Sequence, residues 1–207
     1  MIRKVLFILA VLTVTIASVA LAQIKPFVPV TEAMLQNPSP NDWLMYSRTY
    51  DAQRYSPLKQ ITKSNVGQLK QAWFKDMATG TQESIPLVHD GVMYIMGTGA
   101  VGAPAVSTVW ALDATNGKLI WEYKRPGANG TSNTKSFAMF EDMVFYPATD
   151  GFIVALDMRT GAVKWETKAV NNGGRLTGGL IMAGSKIISA RTCGTPPQQT
   201  LSLDSIY

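Results

Sequence analysis

The stretch Ala111-Leu112-Asp113-Ala114-Thr115-Asn116-Gly117-Lys118-Leu119-Ile120-Trp121 returns as Ala155-Leu156-Asp157-Met158-Arg159-Thr160-Gly161-Ala162-Val163-Lys164-Trp165. Ala, Leu, Asp, Gly and Trp hold matching places, and the aspartates and the tryptophans are each 44 residues apart. A repeat of about 40–50 residues holding four short strands is one blade of a β-propeller. The residue types suit that role. Asp bonds backbone N–H groups across a turn, Gly supplies the positive φ of the turn, and Trp packs on the neighbouring blade with its indole N–H free to bridge.

Around the repeat, short apolar runs recur at residues 85–88, 92–96, 108–112, 119–123, 136–140, 143–146, 152–156 and 163–167. Asp90-Gly91, Asn116-Gly117, Asp150-Gly151 and Thr160-Gly161 punctuate them, as tight turns between antiparallel strands do. No segment after residue 70 carries a long apolar stripe of helical period. The expected fold is all-β, an incomplete propeller of about three blades spanning residues 83–194. Residues 23–82 read as a lead-in. It holds a short helix at 31–36 capped by Thr31, a helical turn within 63–69 and a first strand at 71–74. Residues 195–207 read as a divergent or truncated tail, with Ser202-Leu203-Asp204 as a displaced start of a third repeat.

Residues 1–22 combine Arg3 and Lys4, an apolar run over 5–19 and Ala20-Leu21-Ala22, the pattern of a secretory signal peptide. Its removal would leave 185 residues and lower the formal charge from +5 to +3, because Arg3 and Lys4 leave and no acidic residue does. The basicity is therefore partly an export signal, and without a Lys/Arg cluster it does not point to nucleic acid. Cleavage would leave no membrane anchor, so the expected location is the periplasm. A single Cys excludes an internal disulfide framework and a cysteine-rich zinc site.

Asn41-Asp42-Trp43, Tyr55-Ser56-Pro57-Leu58, Asn65-Val66, Ala72-Trp73, Glu83-Ser84-Ile85-Pro86-Leu87-Val88 and Asp90-Gly91-Val92-Met93-Tyr94 join the repeat in a wider pattern. Over residues 31–194 the chain resembles the quinoprotein alcohol dehydrogenases, eight-bladed propellers that use pyrroloquinoline quinone (PQQ). The resemblance implies a PQQ pocket in which Glu83 contacts the cofactor and Thr149 donates a hydroxyl. Lys135 falls near the family's Arg beside the reactive quinone oxygens, and Thr192, Cys193 and Gly194 would lie against the cofactor. Each has a plainer reading: a turn-strand Glu, a turn Thr before Asp-Gly, a solvated loop Lys, a buried structural thiol. Complete relatives take an alcohol-type substrate, a calcium or lanthanide ion and a cytochrome c electron acceptor.

Two departures stand out. Asn129-Gly130 occupies the place where many members carry adjacent cysteines. The family's calcium-binding Glu falls at Thr195, which puts the metal in doubt. The family's Asp base and most of its blades lie beyond the matched region. The chain therefore reads as the N-terminal part of such an enzyme, with open sheet edges and no activity of its own. The competing reading is a non-catalytic PQQ-like propeller scaffold of the cell envelope. Gly97-Thr98-Gly99-Ala100-Val101-Gly102 matches G-x-G-x-x-G, but a dinucleotide site needs a helix there, and Ala103-Pro104 and a β-branched run follow instead. His89, beside Asp90-Gly91, reads as a solvated turn residue.

Overall fold

The computed structural model describes residues 26–78, 82–98, 101–102, 106–129, 135–170, 176–191 and 202–206. The proposed signal peptide, Thr192, Cys193, Gly194 and Thr195 lie outside them. The described chain is almost wholly antiparallel β. β1 (Leu87–His89), β2 (Val92–Gly97), β3 (Val106–Asp113) and β4 (Leu119–Asn129) form one four-stranded meander in chain order. β5 (Ala138–Phe140), β6 (Met143–Pro147), β7 (Phe152–Asp157) and β8 (Val163–Lys168) form a second. β9 (Leu180–Ala183), β10 (Lys186–Arg191) and β11 (Ser202–Ile206) give a third sheet in the order β11-β10-β9. These are successive blades of an open propeller.

The eight apolar runs read from the sequence coincide with β1–β8. β9 and β11 were not anticipated. β11 contains Ser202-Leu203-Asp204, but Asp204 faces Ser189, the fourth residue of β10. Asp113 and Asp157 instead face Val92 and Met143, the first residues of β2 and β6. Asp204 therefore does not hold the place of the repeat aspartates.

Burial follows the stacking of sheets. β3 and β7 are buried on both faces, whereas β8 alternates between half-buried and exposed. The core joins Leu87 and Tyr94 of the first sheet, Phe137, Tyr146, Ile153 and Leu156 of the second and Leu180 of the third. The repeated tryptophan ties one sheet to the next. Trp121, at the start of β4, donates its indole N–H to Met158 O at 2.9 Å. The same carbonyl accepts Tyr94 Oη at 3.0 Å. The Trp121 ring lies on Gly161, where an added Cβ would come within 2.6 Å of it. Trp73 repeats the arrangement on the first sheet, donating to Ala114 O at 3.1 Å and lying on Gly117.

Residues 71–74 are not a strand, contrary to expectation. They find no ladder among the described residues, and Phe74 is 70% exposed. The segment nevertheless covers the free face of the first sheet. Lys75 Nζ sits 4.6 Å above the Trp110 ring, and Met77 Sδ reaches Gly97. It stands beside the first sheet as β4 stands beside the second.

The rest of the lead-in crosses all three sheets. α1 (Glu32–Gln36) is capped by Thr31, whose Oγ1 accepts Met34 N at 3.3 Å, and it ends before Pro38. A single 3-10 turn occupies Val66–Gln68. Trp43 exchanges backbone hydrogen bonds with Val88, Val30 with Glu141, and Tyr50 Oη donates to Met182 O at 2.9 Å. His89 overturns its expected role. It is 3% exposed, with Nε2 at 2.8 Å from Val28 O and Nδ1 at 3.4 Å from Asp42 Oδ2. Asp42 also accepts Asp90 N at 3.0 Å. The lead-in folded over the hairpin is what removes His89 from water.

Gly161 and Gly117 meet two demands, a positive φ (+72° and +73°) and a ring in contact. Gly91 has φ +82° with nothing within 4 Å. Gly91→Ala should therefore cost about 1–2 kcal/mol from backbone strain alone. Gly161→Ala should cost about 1–3 kcal/mol more through overlap with Trp121. Denaturant unfolding of the two variants measures the difference, and equal losses would remove the ring from the explanation.

Asp157 heads its turn with Oδ1 accepting Arg159 N and Thr160 N, both at 3.0 Å. Burial works against its charge, but the hydrogen bonds from Arg159 and Thr160 prevail and hold its pKa below the usual 3.8. A lowered folded-state pKa means stability that is full above the unfolded value and is lost as pH falls through the folded one. Unfolding measured from pH 7 down to pH 2.5 should lose stability mainly below about pH 4. Asp157→Asn should be weaker at neutral pH and show a shallower acid loss.

Candidate functional site

Antiparallel order sorts every residue to one end of the sheets or the other. The turns carrying His89, Gly117 and Gly161 lie at one end. The approaches to β1, β5 and β9, and the β2–β3 and β6–β7 connections, lie at the opposite end. Glu83, Lys135 and Thr149 all fall at this second end.

The approaches to the three sheets adjoin one another. Ile85 N donates to Lys135 O at 3.3 Å, and Leu180 N donates to Ser136 O at 3.2 Å. A Cβ on Gly179 would lie 3.0 Å from Ser136 N and 3.4 Å from Lys135 Cβ, and φ there is +79°. This close approach brings Glu83 and Lys135 into a hydrogen-bonded ion pair. The Glu83 carboxylate bonded to it holds the Lys135 ammonium above its ordinary pKa, which keeps it a cation and not a base. Both side chains remain partly open to solvent.

Thr149 lies in the β6–β7 connection. Its Oγ1 is buried and has no hydrogen-bond partner. The ladder supplies an internal comparison. Val92 and Met143 face the two repeat aspartates, so Thr98 holds the same place in the first sheet as Thr149 in the second. Thr98 Oγ1 donates to Ala78 O at 3.1 Å. Thr149 has no such acceptor, and leaving a buried hydroxyl unpaired costs about 1–3 kcal/mol. An unsatisfied donor at the same end of the sheets as a cation–carboxylate pair suits a ligand rich in carbonyl and carboxylate oxygens, such as PQQ. Among the described residues no group of three His, Cys, Asp or Glu is gathered to hold a metal.

Sequence reading missed several neighbours of these residues. A cavity of about 450 Å³ is lined by Trp43, Tyr46, Arg54, Ile85, Pro86 and Val88, next to Glu83 in the chain. Arg54 stacks on Tyr46 at 4.9 Å, and Trp43 Nε1 is buried without a partner. Arg125 of β4 reaches Asp150, next to Thr149. No local spacing links Arg125 to Asp150, 25 positions on, or Trp43 to Ile85, so nothing short of the fold reveals that these segments meet. The G-x-G-x-x-G stretch joins β2 to β3, paired at Gly97 and Thr108, and no helix starts in its described residues.

Successive four-stranded sheets joined by tryptophan-on-glycine contacts define the class, a propeller segment. The model of the PQQ glucose/ethanol/alcohol dehydrogenase β-propeller domain matches residues 43–162. The dehydrogenase subunit of a quinone alcohol dehydrogenase from Komagataeibacter europaeus is 41% identical over 143 residues, covering 63% of this chain and 18% of that protein. The quinohemoprotein alcohol dehydrogenase ADH-IIG of Pseudomonas putida is 42% identical over 135 residues, 61% of this chain and 18% of that protein. The solved structure of ADHIIG from P. putida HK5 superposes with a TM-score of 0.68 at 32% identity, over 80% of this chain and 25% of that one. The quinohemoprotein alcohol dehydrogenase of Comamonas testosteroni gives 0.64 at 26% identity, over 78% and 26%. This chain belongs to the PQQ glucose/ethanol/alcohol dehydrogenase β-propeller family. It spans about a fifth to a quarter of the length of these relatives.

Because the Thr149 hydroxyl gains nothing in the ligand-free chain, Thr149→Val should leave stability unchanged or raise it by up to about 1 kcal/mol. A loss above about 1 kcal/mol in thermal unfolding would mean that Oγ1 is satisfied.

Proposed function

We propose that this chain carries one share of the PQQ pocket of a periplasmic quinoprotein alcohol dehydrogenase. The observation behind the reading is the Thr149 hydroxyl, buried and unpaired in a chain whose relatives are quinone-dependent alcohol dehydrogenases. In this reading Thr149 donates to the cofactor, Glu83 contacts it, and Thr192, Cys193 and Gly194 lie against it. Bound PQQ supplies a two-electron acceptor for the hydride of an alcohol. Lys135 sets a positive charge beside the quinone oxygens, as a point charge in place of the planar fork of an Arg. Glu83 keeps that charge in place and would share its carboxylate between Lys135 and the cofactor.

Residues 1–22 export the chain, and electrons leave to a cytochrome c. The Asp that accepts the alcohol proton and most ligands of a calcium or lanthanide ion belong to parts of the relatives that these residues do not match. The relatives at 41% and 42% identity are alcohol dehydrogenases, which favours that reading over a scaffold of the cell envelope.

The test is a titration of the purified chain with PQQ, followed by tryptophan fluorescence. One saturable site is expected, weakened about tenfold or more in Thr149→Val and in Glu83→Gln, the loss of one good hydrogen bond. With an alcohol and an artificial electron acceptor the chain alone should reduce no dye. Quenching that does not saturate, or that both variants leave unchanged, would overturn the reading.

A further inference from the structure

We propose that Arg125 is a positioning residue for Thr149: from the first sheet it fixes the connection of the second sheet that presents the Thr149 hydroxyl. The proposal rests on the cofactor reading above.

Arg125 is 8% exposed, an unusual place for a guanidinium, and its guanidinium meets Asp150, Glu166 and Phe152 on or around that connection. Its Nε donates to Asp150 Oδ2 at 3.1 Å. One terminal nitrogen donates to Glu166 of β8 and lies 3.5 Å from Tyr123 Oη. The guanidinium stacks 4.8 Å from the Phe152 ring, the first residue after the connection. A planar fork can serve the two carboxylates and the ring together, which an ammonium cannot.

The same connection is gripped from its own sheet. Lys168 Nζ donates to Asp150 O at 2.8 Å, and Ala169 N and Val170 N donate to Gly151 O at 3.0 and 3.1 Å. Gly151 has φ +84°, and a Cβ there would meet Val170 O at 3.0 Å. An unsatisfied hydroxyl favours any local rearrangement that gives it a partner, so the segment must be held if Thr149 is to stay ready for a ligand. The lower grip comes from β8 and the residues after it. The grip at Asp150 comes from Arg125 across the sheet boundary, which makes two sheets jointly responsible for one ligand contact.

The test uses the full chain and the variants Arg125→Lys, Arg125→Met and Asp150→Asn. Hydrogen exchange of amides 148–152 is compared with that of β9 and β10, and PQQ affinity is read by fluorescence quenching. Arg125→Met and Asp150→Asn should speed local exchange about tenfold and leave β9 and β10 unchanged, as a local opening does. Arg125→Lys should recover part of the protection and affinity. Thr149→Val in the Arg125→Met background should cost little further affinity, because both changes remove the same contact. Faster exchange throughout the second and third sheets, or affinity losses that simply add, would overturn the proposal. If Arg125→Met does not fold, Arg125→Lys and Asp150→Asn decide it. If the unaltered chain takes up no PQQ, the cofactor reading fails, and local exchange alone then decides whether Arg125 fixes the connection.

Discussion

The structure depends on an indole lying flat on a glycine of the next sheet. Trp121 on Gly161 and Trp73 on Gly117 fix the separation and stagger of consecutive sheets, because any Cβ on those glycines would occupy the ring's space. The indole N–H then binds a carbonyl of the same turn, Met158 O or Ala114 O. Orientation and distance are set together, and the buried donor is satisfied. The turn is held rigid by its aspartate, which organises the N–H groups that follow it. A single eleven-residue unit thus specifies a turn within one sheet and the contact that the sheet makes with its neighbour.

Sheets stacked this way still need a brace, since stacking alone fixes only neighbours. The lead-in supplies it by touching the first sheet at Val88, the second at Glu141 and the third at Met182. His89 and Asp42 lock the brace at one point, with the imidazole set between a carbonyl and a carboxylate. Residues 73–78 complete the first sheet in a different way, covering its free face as β4 covers that of the second.

The local chemistry of the sheets was legible because it repeats. Alternating apolar runs, Asp-Gly and Asn-Gly turns and the spaced tryptophans identify β1–β8 without any knowledge of their partners. What was not legible depends on contacts distant in sequence. His89 looks like a turn residue until residues 28–42 fold over it. Residues 71–74 have the composition of a strand, yet pairing needs a neighbour, and none is present among the described residues. β9 and β11 lie beyond the second copy of the repeat and β11 breaks its register, so neither carries the signal that marks β1–β8. Of the candidate site, family resemblance named Glu83, Lys135 and Thr149, whereas Arg125 and the Trp43–Arg54 cavity emerge only when chain segments far apart are brought together.

The repeated turn satisfies its own donors, whereas equivalent positions at the other end of the two sheets differ. At the turn end Tyr94, Trp121 and the N–H groups around Asp157 are satisfied within the protein. At the other end the same ladder position yields a satisfied Thr98 and an unsatisfied Thr149. The repeat gives both sheets a threonine, so residue type does not distinguish them. The neighbour does: Ala78 O comes from the segment covering the first sheet, while the second sheet is covered by β4, which offers Thr149 no acceptor. Repetition builds the frame, and the unsatisfied hydroxyl arises where one member of the repeat is denied the partner that its counterpart has.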